Sequence, residues 1–460
     1  MKAVFIFLFL FFFFRGFSTH LHSAEITLKL KNDFTYLVTI KAYTNLGTNI
    51  VFGNGILDFG DGSPSLTTPA ISSQFTIYKS IGFVQYTTEH TFPKAGSYVI
   101  TYSEPNLVGG LINVDNSLET KLYLESKVIL ETGRDSSSPV FLADPFFRHP
   151  IGRDYSISAQ AVDANGYQLT YDIWFPLAPG QTNYTKPESL VINNSNGLIT
   201  WDTKYKNALL VGEYYFGVRI TQWDSKGNVV GYTCRTYESI LEDANSSLET
   251  INSLNESDNR ILVLPGIEKK IKVILSDNAS VDKVKWQLYA DSKIISNLKF
   301  TQYDSVANAR KIKVGLLSIK TTDNIVRDIP YSITLRGMST MLMGGSMSPS
   351  DIIYSRDISY NFFTRDVQLP VVHLPVVTSV DEIPAGKIIA YPNPFLNDLL
   401  IEDTTKGDFE ITLFSILGKR LLTSFASSEL HIDTSGMPPG LYIVEVVQGQ
   451  RKSQLKLVRR

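Results

Sequence analysis

The chain has 460 residues, with 43 Lys and Arg against 45 Asp and Glu, and a formal net charge of −2. So even a balance supplies no basic field for nucleic acid, and the length exceeds one ordinary core and points to roughly three to four domains. The single cysteine, Cys234, excludes an intramolecular disulfide, so burial of apolar surface must supply the stability.

The chain opens Met1-Lys2-Ala3, runs apolar from 4 to 14, then turns small and polar as far as Ser23-Ala24. A basic start, an apolar run and a small residue near the end describe a secretory signal peptide over 1–24. That run is too short to span a bilayer, and no other stretch has the ~18 apolar residues a spanning helix needs. His22, at the third position before the expected cut, is atypical and leaves the scissile bond open by a few residues.

Residues 25–132 alternate between strand-like and turn-like segments, with no helical period of useful length. Ile56-Leu57-Asp58-Phe59-Gly60-Asp61-Gly62 reads as a strand ending in a tight turn. Later come Glu89-His90-Thr91-Phe92 and the strand Gly96-Ser97-Tyr98-Val99-Ile100. This pattern resembles the PKD domain, an immunoglobulin-like sandwich, with Leu57 in place of the usual tryptophan. The resemblance implies that Asp58, Gly60, Asp61, Gly62 and His90 hold turns by side-chain to backbone hydrogen bonds. A Ca²⁺ site at Asp58 and Asp61 is the weaker alternative, because such a site needs six or more oxygens.

Residues 133–139 read as a polar, turn-rich linker. The module expected over 139–241 carries Asp163-Ala164-Asn165-Gly166 followed by Leu169-Thr170-Tyr171, then Gly197-Leu198-Ile199-Thr200-Trp201, then Gly212-Glu213-Tyr214-Tyr215-Phe216. It is similar to cadherin-like and bacterial Ig-like repeats. Asp163 is a weak Ca²⁺ candidate, since Asn-Gly between alternating strands marks a plain hairpin turn. Trp174, Trp201 and Trp223 are expected in the core rather than on a carbohydrate platform, and Cys234 in a half-buried strand.

The acidic, Ser- and Asn-rich stretch 242–259 reads as a second linker. A further Ig-like sandwich is expected over 260–368 from its alternating strands. Its methionine-rich stretch 338–347 is expected to be a loop. Pro370, Pro375 and Pro384 then make 369–386 a semi-extended tether.

The segment 387–460 carries Tyr391-Pro392-Asn393-Pro394, then Phe414-Ser415-Ile416-Leu417-Gly418-Lys419-Arg420, then Pro438-Pro439-Gly440-Leu441-Tyr442-Ile443-Val444, and a basic end. Two prolines fix how the chain meets its first strand, and Gly418 permits a tight hairpin. Leu441, Ile443 and either Glu445 or its neighbour Val446 are expected to face inward. Three motifs in this order resemble the C-terminal sorting domain of type IX secretion cargo in Bacteroidota. The resemblance makes Tyr391, Pro392, Asn393, Pro394, Gly418, Lys419, Gly440 and Tyr442 the sorting-signal motif. It implies the translocon and its sorting machinery as partners, and a secreted or outer-surface location reached through the periplasm.

The whole is therefore expected to be all-β: tandem immunoglobulin-like sandwiches ending in a small sandwich sorting domain. No catalytic constellation emerges from the six histidines, and neither a Gly-x-Ser-x-Gly elbow nor a phosphate-cradling glycine loop is present. The first expectation is a non-catalytic surface or secreted protein that serves in adhesion, gliding or scaffolding, with a glycan or protein ligand and no cofactor. The alternative is a carbohydrate-binding accessory or hydrolase with its active module in 260–368, where two carboxylates would meet in space. A filament subunit accepting a donor strand is a third option.

Overall fold

The computed structural model describes residues 21–45, 51–72, 75–78, 81–105, 107–145, 148–204, 209–243, 248–252, 259–277, 284–307, 310–341, 352–366, 388–391, 393, 395–403, 408–415, 420–438, 440–448 and 451–459. Most of the expected signal peptide, the tether, Pro392, Pro394, Gly418 and Lys419 lie outside them. The chain forms two compact units, Met1–Val372 and His373–Arg460. Both are built of strands and turns, and the first also carries short 3₁₀ segments such as Ser292–Asn297. Among the described residues no helix is long and apolar enough to cross a membrane.

Strict alternation builds the first sandwich. In the strand Thr35–Asn45, Tyr36, Val38, Ile40 and Ala42 are fully buried while Leu37, Thr39 and Lys41 are half-buried. Its sheet runs, in hydrogen-bonded order, Leu66–Thr67, Ile56–Asp58, Gly96–Glu104, Leu122–Leu130, Val229–Glu242, Leu21–Asn32, Thr35–Asn45, Ile81–Thr91 and Phe75–Tyr78. The strand in the middle of this path comes from the second expected module. It also pairs along its length with Gly212–Trp223, which pairs in turn with Gln168–Trp174. The first two sandwiches thus share one continuous sheet.

This sharing is possible because the Val229–Glu242 strand is 14 residues long and buried over most of its length. Its polar residues are matched rather than solvated. Arg235 forms a buried ion pair with Glu25, donates to the Ala143 carbonyl at 2.9 Å, and lies 3.8 Å over the Phe141 ring. The stretch read as a first linker is packed as well. The Ser137 and Ser138 hydroxyls each accept from a backbone N–H of the Leu21–Asn32 strand at 2.8 Å, those of Leu30 and Leu28. The expected signal peptide also reaches this sheet: Leu21, His22, Ser23 and Ala24 begin that same strand and are buried.

Trp201, Tyr155, Phe216 and Tyr237 centre the second core, and Trp174 and Trp223 are buried beside the shared sheet. Cys234 is fully buried, and burial pushes its thiol up. The third sandwich stacks two four-stranded sheets. One is Glu249–Asn252, Glu268–Ser276, Arg310–Lys320 and Leu298–Ala307; the other is Arg260–Leu262, Ile352–Phe363, Tyr331–Met341 and Val284–Ala290. The first of these strands comes from the stretch read as the second linker. Met338 sits buried in a strand of the other sheet rather than in a loop, while 342–350 lies outside the described residues.

The second unit is a smaller sandwich. Its sheets are Ile388–Tyr391, Asp398–Asp403 and Glu429–Asp433 against Arg420–Ser427, Asp408–Ser415, Gly440–Gln448 and Arg451–Arg459. The buried residues of Gly440–Gln448 are Tyr442, Val444 and Val446; Ile443 and Glu445 are only half-buried, which corrects the expectation of Ile443 and decides for Val446 over Glu445. A one-residue shift reverses every side chain in a strand. The other register would have put Glu445, which shares a face with Ile443, into the core.

Candidate functional site

Three places hold the residues singled out by sequence. The first is the turn after the strand Ile56–Asp58. Asp58 Oδ1 accepts from the Gly60 N–H at 2.7 Å and Oδ2 from the Ser65 hydroxyl at 3.1 Å. Gly60 has φ +70°, and a Cβ there would lie 2.3 Å from the Val99 carbonyl oxygen, so only glycine fits. Asp61 Oδ1 accepts from both the backbone and the hydroxyl of Ser63, at 3.0 and 2.6 Å. Its Oδ2 lies 2.7 Å from His90 Nε2, and the imidazole stacks on Phe59 at 3.7 Å. Desolvation would raise the Asp61 carboxyl, yet the Ser63 and His90 hydrogen bonds outweigh it and bring it down to about 2.

Asp61→Ala is expected to cost about 1–3 kcal/mol at neutral pH, since it leaves these donors unpaired. A carboxyl lowered on folding stabilises above its ordinary value of 3.8 and loses that contribution as pH falls through 2. Denaturation curves of variant and parent should therefore converge in acid. An equal deficit at acid and neutral pH would refute the assignment.

The second place is the turn 163–166. Asp163 is buried; its Oδ1 accepts from the N–H groups of Asn165 and Tyr167 at 2.8 and 2.9 Å, and its Oδ2 from the Gln222 amide at 2.6 Å. Burial raises this carboxyl despite those bonds. Each carboxylate oxygen of Asp58, Asp61 and Asp163 has a hydrogen-bond partner within this chain. Among the described residues, no three His, Cys, Asp or Glu cluster to hold a metal.

Asp163 also lines a cavity of about 250 Å³ between the second and third sandwiches, with Tyr167, Asn194, Asp291, Arg327 and Asn361. The Arg327 guanidinium lies 3.4 Å over the Tyr331 ring and donates to the carbonyls of Ile329 and Pro330 at 2.9 and 2.8 Å. Burial lowers its pKa. Asp291 accepts from the Lys293 N–H at 2.9 Å and from Arg327 at 3.4 Å. These charged groups brace the walls of the cavity. Sequence reasoning missed it because Asp291 and Arg327 belong to the third sandwich, 128 and 164 positions after Asp163.

The third place is the C-terminal unit. The Tyr391 hydroxyl donates to Glu402 at 2.7 Å, and Asn393 Oδ1 accepts from the Val458 N–H at 2.9 Å. The Phe395 N–H donates to the Val458 carbonyl at 2.8 Å, and the Phe395 ring is fully buried. The Tyr442 hydroxyl donates back to the Pro438 carbonyl, two residues ahead of Gly440, whose φ is +155°. The first and last motifs therefore meet the final strand and lock its place in the sandwich. Arg459 completes the closure by donating to the Leu396 carbonyl at 2.9 Å.

No curated protein matches the chain. Among solved structures, it is similar to the full ectodomain (Ig1–Ig3) of mouse nectin-like molecule 4, at 9% identity over 69% of this chain and 97% of that one, with a TM-score of 0.18. The human desmocollin-1 ectodomain is similar at 12% identity over 88% of this chain and 74% of that one, with a TM-score of 0.18. The N-terminal four Ig domains of Dscam1 isoform 6.44 give 11% identity over 95% of this chain and 99% of that one, also at 0.18. Such values say nothing about activity. Residues 389–460 match the secretion system C-terminal sorting domain, and this segment of the chain is a sorting domain of type IX secretion cargo.

Proposed function

We propose that this is a non-catalytic protein exported by the type IX system, which serves at the cell surface or after release as an adhesive, gliding-associated or scaffolding element. The sorting domain at 389–460 carries this reading. It implies the secretion machinery as a partner and export to the surface or the medium. Ahead of it stand three sandwiches whose polar groups brace one another, an arrangement suited to holding end loops at fixed positions. A ligand would then be a surface glycan or protein met by those loops.

Fractionation of the native host with and without its translocon tests the reading. The protein should leave the surface and medium fractions of the mutant and accumulate in the periplasm with residues 389–460 still attached. Unchanged surface protein in the mutant would sink it. A glycan array probed with the full exported chain separates scaffold from accessory: a strong, single-class signal would move the assignment to the carbohydrate-binding alternative.

A further inference from the structure

We propose that the export cleavage falls on the N-terminal side of Leu21, so that residues 21–24 stay in the exported protein and begin its first strand. The sequence alone favours a cut after Ala24, but the strand Leu21–Asn32 argues against it. Leu21, Ser23, Ala24 and Glu25 are each no more than 1% exposed, and His22 is 6% exposed. In register, Leu21 faces Thr44, Ser23 faces Tyr43 and Ala24 faces Ala42. On the other side, the Ala24 N–H donates to Thr236 Oγ1 at 3.1 Å, and the Ser23 hydroxyl donates to the Thr236 carbonyl. His22 Nδ1 lies 3.3 Å from the buried carboxylate of Glu238. These residues are an integral part of the sheet that joins the first two sandwiches.

A cut after Ala24 would remove those contacts and would also create a charge. Glu25 would carry the new α-ammonium at a position 1% exposed, directly opposite Lys41 on one neighbouring strand and Arg235 on the other. The Glu25 carboxylate already pairs with both, Lys41 Nζ at 3.5 Å and the Arg235 guanidinium closer. A third cation around one buried carboxylate that already serves two is costly to desolvate. The Leu21 side chain would be lost from the first core, and Glu238 would lose the imidazole beside it.

Upstream, Gly16 and Ser18 supply small residues three and one positions before the Ser18–Thr19 bond, where His22 and Ala24 stand for the other cut. Hydrolysis there by the export peptidase adds one water across the amide. Ser18 leaves as the carboxylate of the released peptide, and Thr19 keeps the amine as an ammonium two residues before the strand begins.

N-terminal sequencing of the protein exported by its native host decides the matter, with Thr19 the expected first residue. Any start at or before Leu21 upholds the proposal; a start at His22 or later overturns it. A second readout compares chains 19–460 and 25–460 produced without a leader. The shorter chain should melt lower by roughly 5 °C or more, or fail to fold. Equal melting of the two would overturn the proposal.

Discussion

Asp357→Ala is expected to destabilise the first unit by about 3–5 kcal/mol, the range for removing one partner of a buried ion pair. The side chains of Arg336 and Asp357 are both fully buried, and the guanidinium meets the carboxylate in a two-pronged contact, Nε to Oδ1 and the terminal nitrogen to Oδ2, each 2.8 Å. That fork matches carboxylate geometry and explains why arginine rather than lysine stands here. The same Asp357 reaches across to the second sandwich. Its Oδ2 accepts from the Ser158 N–H at 2.8 Å, and its backbone carbonyl accepts from the Ser156 hydroxyl at 2.6 Å. Alanine leaves a desolvated guanidinium without its counterion and a strand of the neighbouring sandwich with an unpaired N–H. Replacing both partners, Arg336→Met with Asp357→Leu, should recover most of the loss, since two buried charges then disappear together. Urea denaturation of the full chain at neutral pH measures both variants. A loss under about 1 kcal/mol for the single variant would show that the pair is not what closes this junction.

The same junction shows what could be read in the sequence and what could not. Alternation located the strands because apolar side chains recur at every second position, as in Tyr36, Val38, Ile40 and Ala42. The tryptophans were legible as core because their area leaves them few other places. Contacts between sandwiches were not legible, because polar residues make them. Glu25, Arg235, Ser137, Ser138, Ser158 and Asp357 look like solvated positions in sequence, yet all are buried. Each is matched by a partner far along the chain, as Glu25 is by Arg235, 210 positions on. Composition cannot distinguish a hydroxyl facing water from one facing a strand edge. The register of Gly440–Gln448 was hidden for a different reason: Leu441 and Ile443 are as apolar as Tyr442 and Val444. The polarity of Glu445 beside Val446 is the one contrast in the run, and by itself it left open which of the two faces inward. The turn residues Asp58 and Asp61 were readable because their partners lie close in sequence, except His90, 29 positions after Asp61.

Glu104→Gln is expected to stabilise the protein by roughly 2–3 kcal/mol at pH 8 and to change little near pH 4, from the shift and its linkage to folding. Glu104 ends the strand Gly96–Glu104 and is 2% exposed. Its Oε1 accepts from the Gly53 N–H at 3.0 Å and its Oε2 from the Tyr102 hydroxyl at 2.7 Å. Both bonds favour the ionised form, yet burial outweighs them and pushes the carboxyl from 4.5 up to about 7. A folded-state pKa above the unfolded one means that the folded chain holds its proton where the unfolded chain has released it. Stability from this group is therefore full below 4.5, falls as pH rises through 7, and stays low above. Glutamine keeps an acceptor for Gly53 and a hydrogen-bonding group for Tyr102 and never ionises, so it removes the alkaline loss. Parallel unfolding curves across this pH range test the assignment, and the gap between variant and parent should open as pH rises. A constant gap would mean that the carboxylate is solvated well enough to ionise at its ordinary value, and Glu104 would then be a strand-end acceptor rather than a proton-linked one.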